Sequence, residues 1–321
     1  MKEVRDPVKV REELNNRRRE KWHELFLKNF NELEAPEMVH WEESLDRKGF
    51  EVLRTQHRGN GEFSECYTGK WVEIQKEVAC KVLRFKEAVM KYKIENPVRQ
   101  LKLLNNLSHS KLIEMIKIFE ITKTQKIYIF MQLAEQGSVS DLINKSRKPI
   151  EESLAKRWAV DCATGLAYLH SMGIAHRRVT AKNMLIDARN EAKLSLPDLF
   201  FELCDQQGKV RNCNNPGSRG SHWAPECLQG PYDPLQADVW AFGVVVYYML
   251  ITKAPFMHYH KFDKMKDEID RKLWSSSFQT SVDPSIRLTE AQKKFFEKIF
   301  VLDVITRPAI DEVFALPWLS T

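Results

Sequence analysis

The sequence contains no closely spaced pair of cysteines, no secretory signal and no apolar run of membrane-spanning length. Its six cysteines are scattered through 321 residues, and none forms the CxxC pair that a zinc site or a redox centre requires. Scattered cysteines are typical of free thiols in a reducing compartment, so we expect an intracellular, cytoplasmic protein. The longest apolar run, Val239 to Ile251, is shorter than the ~20 residues that span a bilayer. It predicts a buried core helix, and we expect no membrane span.

The sequence also lacks a strong excess of charge of one sign. It has 50 basic and 44 acidic residues, for a net charge of +6. This excess is mild for a protein whose main partner is nucleic acid, so we do not expect that partner. Residues 1–49 are interpreted as a charged helical N-terminal extension with a basic cluster at Arg17, Arg18 and Arg19. A solvated helix face explains such a cluster, and a basic adaptor for acidic partners is the alternative.

Residues 50–319 show a different pattern, which predicts an α+β domain of two lobes. Short runs rich in β-branched and aromatic residues predict antiparallel strands at 50–57, 65–72, 76–84, 115–121 and 126–132. One helix interrupts them, with Asn96 as its predicted N-cap and Pro97 as its first residue. Beyond the small lobe, residues 50–134, a larger and mainly helical lobe fills residues 135–319, with helices predicted at 151–172, 237–251, 289–300 and 310–315.

Two motifs in the small lobe indicate phosphate chemistry. The segment GNGEFSEC begins at Gly59 and lies between two predicted strands. Its glycines would let backbone amides approach a phosphate, although a plain hairpin turn has the same letters. Fifteen residues after Cys66, Lys81 ends the apolar segment VACK on a predicted strand. At this spacing the two motifs together resemble the glycine loop and the strand lysine of protein kinases, in which the lysine holds nucleotide phosphates.

Further motifs follow in the helical lobe: HRRVTAKN from His176, APE ending at Glu226, DVWAFG from Asp238, and Arg307 in the string TRP. With the two motifs of the small lobe, their types and order resemble the eukaryotic protein kinase superfamily, as a degenerate member. The segments IYIFMQL, PYDPLQADVWAFGVVVYYML and IDEVFALPWL are similar to the calmodulin-dependent kinase group. Within that group, the testis-specific serine/threonine kinases are the nearest resemblance.

The resemblance implies a two-lobed kinase fold with ATP bound between the lobes. It assigns nucleotide contacts to Gly59, Gly61, Ser64, Cys66, Ala79, Lys81, Met131, Gln132, Ala134, Asn183 and Leu185. It assigns structural roles to Gln100, His176, Glu226, Asp238 and Arg307.

Several positions depart from the kinase pattern. Arg178 occupies the place of the catalytic base, and a guanidinium cannot accept a proton. Leu196 occupies the place of the metal-binding aspartate, which leaves Asn183 and Asp198 as weak metal candidates. Gln100 replaces the glutamate that pairs with Lys81, and we expect an uncharged contact between them. No catalytic residue is therefore assigned.

The departures predict a pseudokinase that acts in signalling as a regulatory or scaffolding module for a protein partner such as an active kinase. We expect weak, metal-independent ATP binding, in which Lys81 and Arg178 supply positive charge, and no role for magnesium. The alternative is a weak or atypical ATP-dependent serine/threonine kinase that uses Asp198.

Overall fold

A computed structural model describes residues 33–92, 94, 97–198, 201–202, 212–214, 220–275 and 287–320, together with residues 9, 12, 13, 16, 17, 20 and 24. The described chain forms a sheet-rich lobe followed by a mainly helical lobe. This confirms the predicted α+β, two-lobed fold.

The first lobe contains a six-stranded sheet, with strands β1 (Glu37–Val39), β2 (Phe50–Asn60), β3 (Ser64–Trp71), β4 (Lys76–Leu83), β5 (Met115–Ile121) and β6 (Lys126–Met131). Their order in the sheet is β1-β5-β6-β4-β3-β2. All five predicted strands are present. In β4, Val78 and Cys80 pack in the cluster on one face of the sheet, whereas Ala79 faces the cleft between the lobes, because successive side chains of a strand point to opposite faces.

Residues 37–49 correct the predicted boundary of the extension. They do not form part of a charged helical extension. Strand β1 is followed by two short 3-10 helices, Glu42–Ser44 and Asp46–Lys48. Strand β1 pairs in parallel with β5, and Leu45 is buried in the same cluster as Phe50. This stretch therefore belongs to the first lobe.

The basic part of the extension lies almost wholly outside the described residues. Arg18 and Arg19 are not among them, whereas Arg17 is exposed and lies 3.8 Å from Glu13. An ion pair of this kind is worth little in water. The adaptor alternative stays a prediction.

Two helices, not one, interrupt the sheet. They are α1 (Phe85–Tyr92) and α2 (Pro97–Asn106). Pro97 opens α2 as predicted, whereas Asn96, the predicted cap, lies outside the described residues. Leu101 and Leu104 are buried, as the helical spacing of the leucines predicts.

The second lobe is built around α4 (Glu152–Ser171) and α5 (Pro234–Ile251). Helix α5 begins at Pro234, and the Asp233 carboxylate accepts hydrogen bonds from the amides of Leu235 and Gln236. It is long and apolar enough to cross a membrane, yet 89% of it is buried inside the lobe, as expected of a core helix.

The remaining elements complete the second lobe around these two helices. The helices are α3 (Val139–Ser146), α6 (Phe262–Asp270), α7 (Glu290–Ile299) and α8 (Pro317–Ser320), with 3-10 helices at Pro225–Leu228, Leu273–Ser275 and Ile310–Ala315. The strands are β7 (Gly137–Ser138), β8 (Ile174–Ala175), β9 (Met184–Ile186), β10 (Ala192–Leu194) and β11 (Phe201–Glu202). Short strands β7, β9 and β10 form a sheet of their own and bring the residues before β9 and after β10 to the cleft.

Candidate nucleotide site

A cavity of about 830 Å³ lies between the two lobes, within the size range of small-molecule sites. Its lining includes all eleven predicted nucleotide contacts: Gly59, Gly61, Ser64, Cys66, Ala79, Lys81, Met131, Gln132, Ala134, Asn183 and Leu185. Arg178 and Asp198 line the same cavity. The fold thus brings together residues from β2 to the segment after β10.

One wall of the cavity is apolar. Ala79 on β4 lies opposite Met131 on β6, and both pack in a cluster with Ile113. Cys66 and Leu185 pack against this cluster from the two lobes. Burial raises the pKa of the Cys66 thiol, which therefore stays protonated and apolar at neutral pH. The wall suits a flat aromatic ring such as a nucleobase.

Next to this apolar wall, the cavity holds a largely buried ion pair. Lys81 Nζ lies 2.7 Å from Asp198 Oδ1, and it also donates to the Leu196 carbonyl oxygen at 3.2 Å. Ser64 Oγ donates to the same Asp198 oxygen at 2.9 Å. Burial acts to raise the pKa of Asp198, but the charge and hydrogen bond of Lys81, together with Ser64, lower it overall. Asp198 is therefore a carboxylate at neutral pH.

The second oxygen of Asp198 is buried and has no hydrogen-bond partner among the described residues. A buried carboxylate oxygen without a partner costs free energy, and a cation or a donor from a ligand would satisfy it. The Asn183 side-chain nitrogen donates to the Arg178 carbonyl at 2.8 Å, so its amide oxygen is the atom left for a ligand. Carboxylate and amide oxygens are ligands that hard cations bind. The Leu196 side chain offers no such atom and is buried in the core.

The glycine turn between β2 and β3 is folded closely over this pair. The Gly61 amide donates to the Ser64 carbonyl at 2.7 Å. A Cβ atom at residue 61 would lie 2.3 Å from Ser64 Oγ and 3.1 Å from Asp198 Oδ2, so a larger residue there would push the Ser64 hydroxyl away from Asp198. At the tip, Glu62 accepts hydrogen bonds from Lys91 Nζ at 2.5 Å and from the Tyr92 hydroxyl at 2.7 Å. The turn is therefore attached to α1 as well as to the cleft.

Gln100 does not contact Lys81, which corrects the expected pairing. Its Nε2 donates to Glu202 Oε1 at 3.1 Å, and the neighbouring Arg99 pairs with the same carboxylate. All three side chains are buried. Because Lys81 is paired with Asp198, helix α2 is tied instead to Glu202 on β11. Sequence analysis missed Glu202, since no motif marks a short strand after the cleft.

The catalytic-loop segment is held by Asp238 of α5. Its carboxylate accepts from the His176 amide at 2.6 Å and from the Arg177 amide at 2.7 Å, and His170 Nε2 lies 3.1 Å away. Burial lowers the pKa of His176, so its ring is neutral, with Nε2 donating to the Ser195 carbonyl at 2.8 Å. Arg177 has a positive φ of 62°, a conformation that these bonds must stabilise.

The pair predicted from APE and TRP forms in the core of the second lobe. Arg307 Nη1 lies 2.5 Å from Glu226 Oε1, and Nη2 donates to Oε2 at 3.0 Å. Nη1 also donates to the Gln236 carbonyl at 2.8 Å, although Arg307 is fully buried. A bidentate pair of this kind fixes the segment before α5.

His222 is a further residue of the cleft that sequence analysis missed. It lines the cavity, and its Nε2 is buried without a partner among the described residues. Burial, and then the charge of Arg178, lower the pKa of His222 to about 4. Its position directly before Trp223 and the APE motif was the available signal.

Comparison with known proteins agrees with the fold and the motif order. The family described as protein kinase domain matches residues 53–319. Testis-specific serine/threonine-protein kinase 3 of Mus musculus is 28% identical over 281 residues, which are 87% of this chain and 99% of that protein. Testis-specific serine/threonine-protein kinase 4 of Homo sapiens is 29% identical over 235 residues, covering 69% of this chain and 70% of that protein. CBL-interacting protein kinase 10 of Oryza sativa subsp. japonica is 26% identical over 266 residues, or 81% and 55% of the two chains.

The chain belongs to the protein kinase family, because the family match covers most of its length. This confirms the predicted superfamily and its testis-specific serine/threonine kinase relatives. A protein kinase domain implies ATP binding and usually magnesium. The cavity, its apolar wall and Lys81 fit a nucleotide.

Proposed function

We propose that this domain binds nucleotide weakly, does not transfer phosphate, and acts as a regulatory or scaffolding module for a protein partner such as an active kinase. Arg178 carries the proposal, because it lines the cleft at the position of the proton-accepting aspartate. A guanidinium has no lone pair free to accept a proton, and it stays charged at any accessible pH.

The described carboxylates of the cleft do not replace the missing base. Asp141 and Asp198 are the two that line it. Asp141 accepts from the Ser138 amide at 3.0 Å and from the Ser138 hydroxyl at 2.6 Å, where it caps α3. Asp198 is engaged by Lys81. Neither lies on the catalytic-loop segment, residues 176–183, that carries the proton-accepting aspartate in the family.

We further propose that ATP binding does not depend on magnesium. In the family, metal ions neutralise the charge on the β and γ phosphates. Here Leu196 supplies only its backbone carbonyl to the cleft, as a partner of Lys81. Lys81 and Arg178 line the same cavity and supply positive charge in place of a metal.

A phosphotransfer assay beside a thermal shift series tests both statements. The wild-type protein should show no activity above that of Lys81→Met, which has lost the phosphate-binding ammonium. ATP should raise the unfolding midpoint by a similar amount with magnesium and with EDTA. Activity that Lys81→Met abolishes would refute the inactive assignment, and the absence of any ATP response would refute nucleotide binding.

A weak serine/threonine kinase is the second candidate, favoured by the position of Asp198. Its Oδ2 atom, which has no partner among the described residues, fits a metal ligand displaced two residues along the chain. The variant Arg178→Asp separates the two cases by restoring a proton acceptor. If Asp198 binds magnesium, this variant should gain phosphotransfer, and a second substitution, Asp198→Asn, should remove it. A persistently inactive Arg178→Asp protein would count against the second candidate.

The module function needs its own test, because loss of catalysis alone does not create a regulator. We expect the purified domain to change the turnover of an active testis-specific serine/threonine kinase added at known concentration. Its five described cysteines are free thiols, which supports work inside the cell. If the turnover of that kinase stayed unchanged at a saturating concentration of the domain, this class of partner would be ruled out.

A further inference from the structure

The backbone of Arg178 is held in one place. Its amide donates to His176 Nδ1 at 3.2 Å, and its carbonyl accepts from Asn183 Nδ2 at 2.8 Å. The preceding residues His176 and Arg177 are bound in turn to Asp238. These bonds fix the backbone of Arg178 on the second-lobe side of the cleft, which is called the floor below.

The side chain of Arg178 is half-buried, yet its guanidinium has no hydrogen bond or ion pair to any residue in the described part of the chain. The other cations of the cleft differ. Arg58 Nε donates to Thr68 Oγ1 at 2.8 Å, Lys81 is paired with Asp198, and Lys182 is exposed to water. A cation that is partly withdrawn from water without a partner costs free energy, which an anionic ligand would recover.

The charge of Arg178 acts on both sides of the cleft. Burial acts to raise the pKa of Asp198, whereas Lys81, Ser64 and, after them, Arg178 lower it. Arg178 also contributes to lowering the pKa of Glu62 at the tip of the glycine turn, against burial and after Lys91 and Tyr92. The guanidinium is therefore within electrostatic reach of the space between the glycine turn and the floor.

We propose that Arg178 binds the terminal phosphate of a nucleoside triphosphate, so that the metal-free site selects triphosphates over diphosphates. The inference deepens the proposed nucleotide binding and depends on it. A guanidinium presents two parallel N–H groups that match two phosphate oxygens. A diphosphate can use the apolar wall and Lys81, but it has no phosphate left for Arg178.

Equilibrium titrations in EDTA with ATP, ADP and AMP test the assignment. The wild-type protein should bind ATP about tenfold more tightly than ADP, the gain expected of one charge-assisted contact. Arg178→Gln should bring ATP to within about twofold of ADP, with a much larger loss of affinity for ATP than for ADP, because only the terminal phosphate loses a direct partner. Arg178→Lys keeps the charge without the fork, so its preference should be intermediate.

Lys182→Gln is the matched control, because it removes one positive charge from the exposed rim of the same cavity. It should weaken ATP and ADP binding equally, if at all, and preserve their ratio. If Arg178→Gln and Lys182→Gln both lost the preference for ATP over ADP, the preference would come from the general electrostatic potential of the cavity. That result would overturn a direct contact between Arg178 and the terminal phosphate. Circular dichroism and the unfolding midpoint establish that each variant is folded. If Arg178→Gln does not fold, Arg178→Lys takes its place in the comparison.

The remaining outcomes separate this inference from the proposed function. Equal affinity of the wild-type protein for ATP and ADP would overturn the role of Arg178 while leaving nucleotide binding intact. No binding of any nucleotide would overturn both. Inorganic phosphate that binds as tightly as ATP, and is lost in Arg178→Gln, would assign a free-anion site and overturn the assignment to a nucleotide.

Discussion

Lys81 Nζ lies 2.7 Å from Asp198 Oδ1, and Asp198 comes two residues later in the chain than the kinase pattern places its metal-binding aspartate. The lysine that should meet nucleotide phosphates therefore has an internal anion as its partner. Ser64 of the glycine turn donates to the same oxygen. The three side chains link both lobes across the nucleotide site, and a bound nucleotide must compete with this contact.

Replacing the internal anion should favour nucleotide binding without metal. Asp198→Asn should raise the metal-free affinity for ATP about three- to tenfold, because Lys81 no longer gives up an ion pair and the phosphates no longer meet a carboxylate. Titration in EDTA measures it. Ser64→Ala is the control, since it removes one donor and keeps the ion pair, and its effect should be smaller. Unchanged or weaker ATP binding by Asp198→Asn would contradict the competition.

The buried His222 should make stability depend on pH between about 4 and 6.5. Its pKa is lowered from 6.5 to about 4 in the folded protein, so the unfolded chain binds the extra proton within this window. The contribution is complete above pH 6.5 and is lost as the pH falls towards 4. Its full size is about 3 kcal/mol. Urea unfolding at several pH values measures this dependence. Between pH 4 and 6.5 the free energy of unfolding should fall less steeply with falling pH for His222→Gln than for the wild type. His176 shares the direction of shift and remains in both proteins, so parallel slopes would refute the assignment.

The buried pair of Arg307 and Glu226 should contribute strongly to folding. Glu226→Gln leaves the fully buried guanidinium without its counter-charge, and the expected loss is about 3–5 kcal/mol of unfolding free energy. Denaturant unfolding measures it. The matched control is Lys266→Ala, which removes an exposed i,i+4 partner that lies 2.6 Å from Asp270, and it should change stability by less than about 0.5 kcal/mol. Similar losses in the two variants would contradict the role of burial.

Gln100→Glu should not restore the pairing typical of protein kinases. The new carboxylate would lie against Glu202, which Gln100 now contacts at 3.1 Å, and two buried like charges should cost about 1–3 kcal/mol. The double variant Gln100→Glu with Glu202→Gln should recover most of the loss, because one carboxylate then remains for Arg99. Thermal unfolding of both variants checks this. A single variant as stable as the wild type would indicate that α2 moves to bring residue 100 to Lys81.

The strands around the site were predictable because short runs of β-branched and aromatic residues mark them in the sequence. The structure adds which face each side chain takes: Val78 and Cys80 face one cluster, while Ala79 and Lys81 face the cleft. Strand β1 has three residues and no such pattern, and its place is set by pairing with β5 far along the chain. Local periodicity therefore could not reveal that residues 37–49 belong to the first lobe.

Among the site residues, motif order identified the lining but not the pairing. Gly61, Lys81 and Asn183 were predicted from their neighbours in sequence, and they line one cavity. The partners of Lys81 and Gln100 were not predictable in this way, because Asp198 and Glu202 reach them over more than one hundred residues. Such contacts depend on how the lobes close, which no local motif encodes.

The amino-acid sequence by itself determined that this chain has a kinase fold and that a permanently charged arginine stands where a proton acceptor is required, since residue identity alone decides whether a side chain can accept a proton. Only the tertiary structure decided which charges meet in the cleft. It placed Asp198 against Lys81, Glu202 against α2, and left the Arg178 guanidinium facing the cavity without a described partner. Electrostatic interactions depend on distance and burial, and these quantities exist only after the chain has folded.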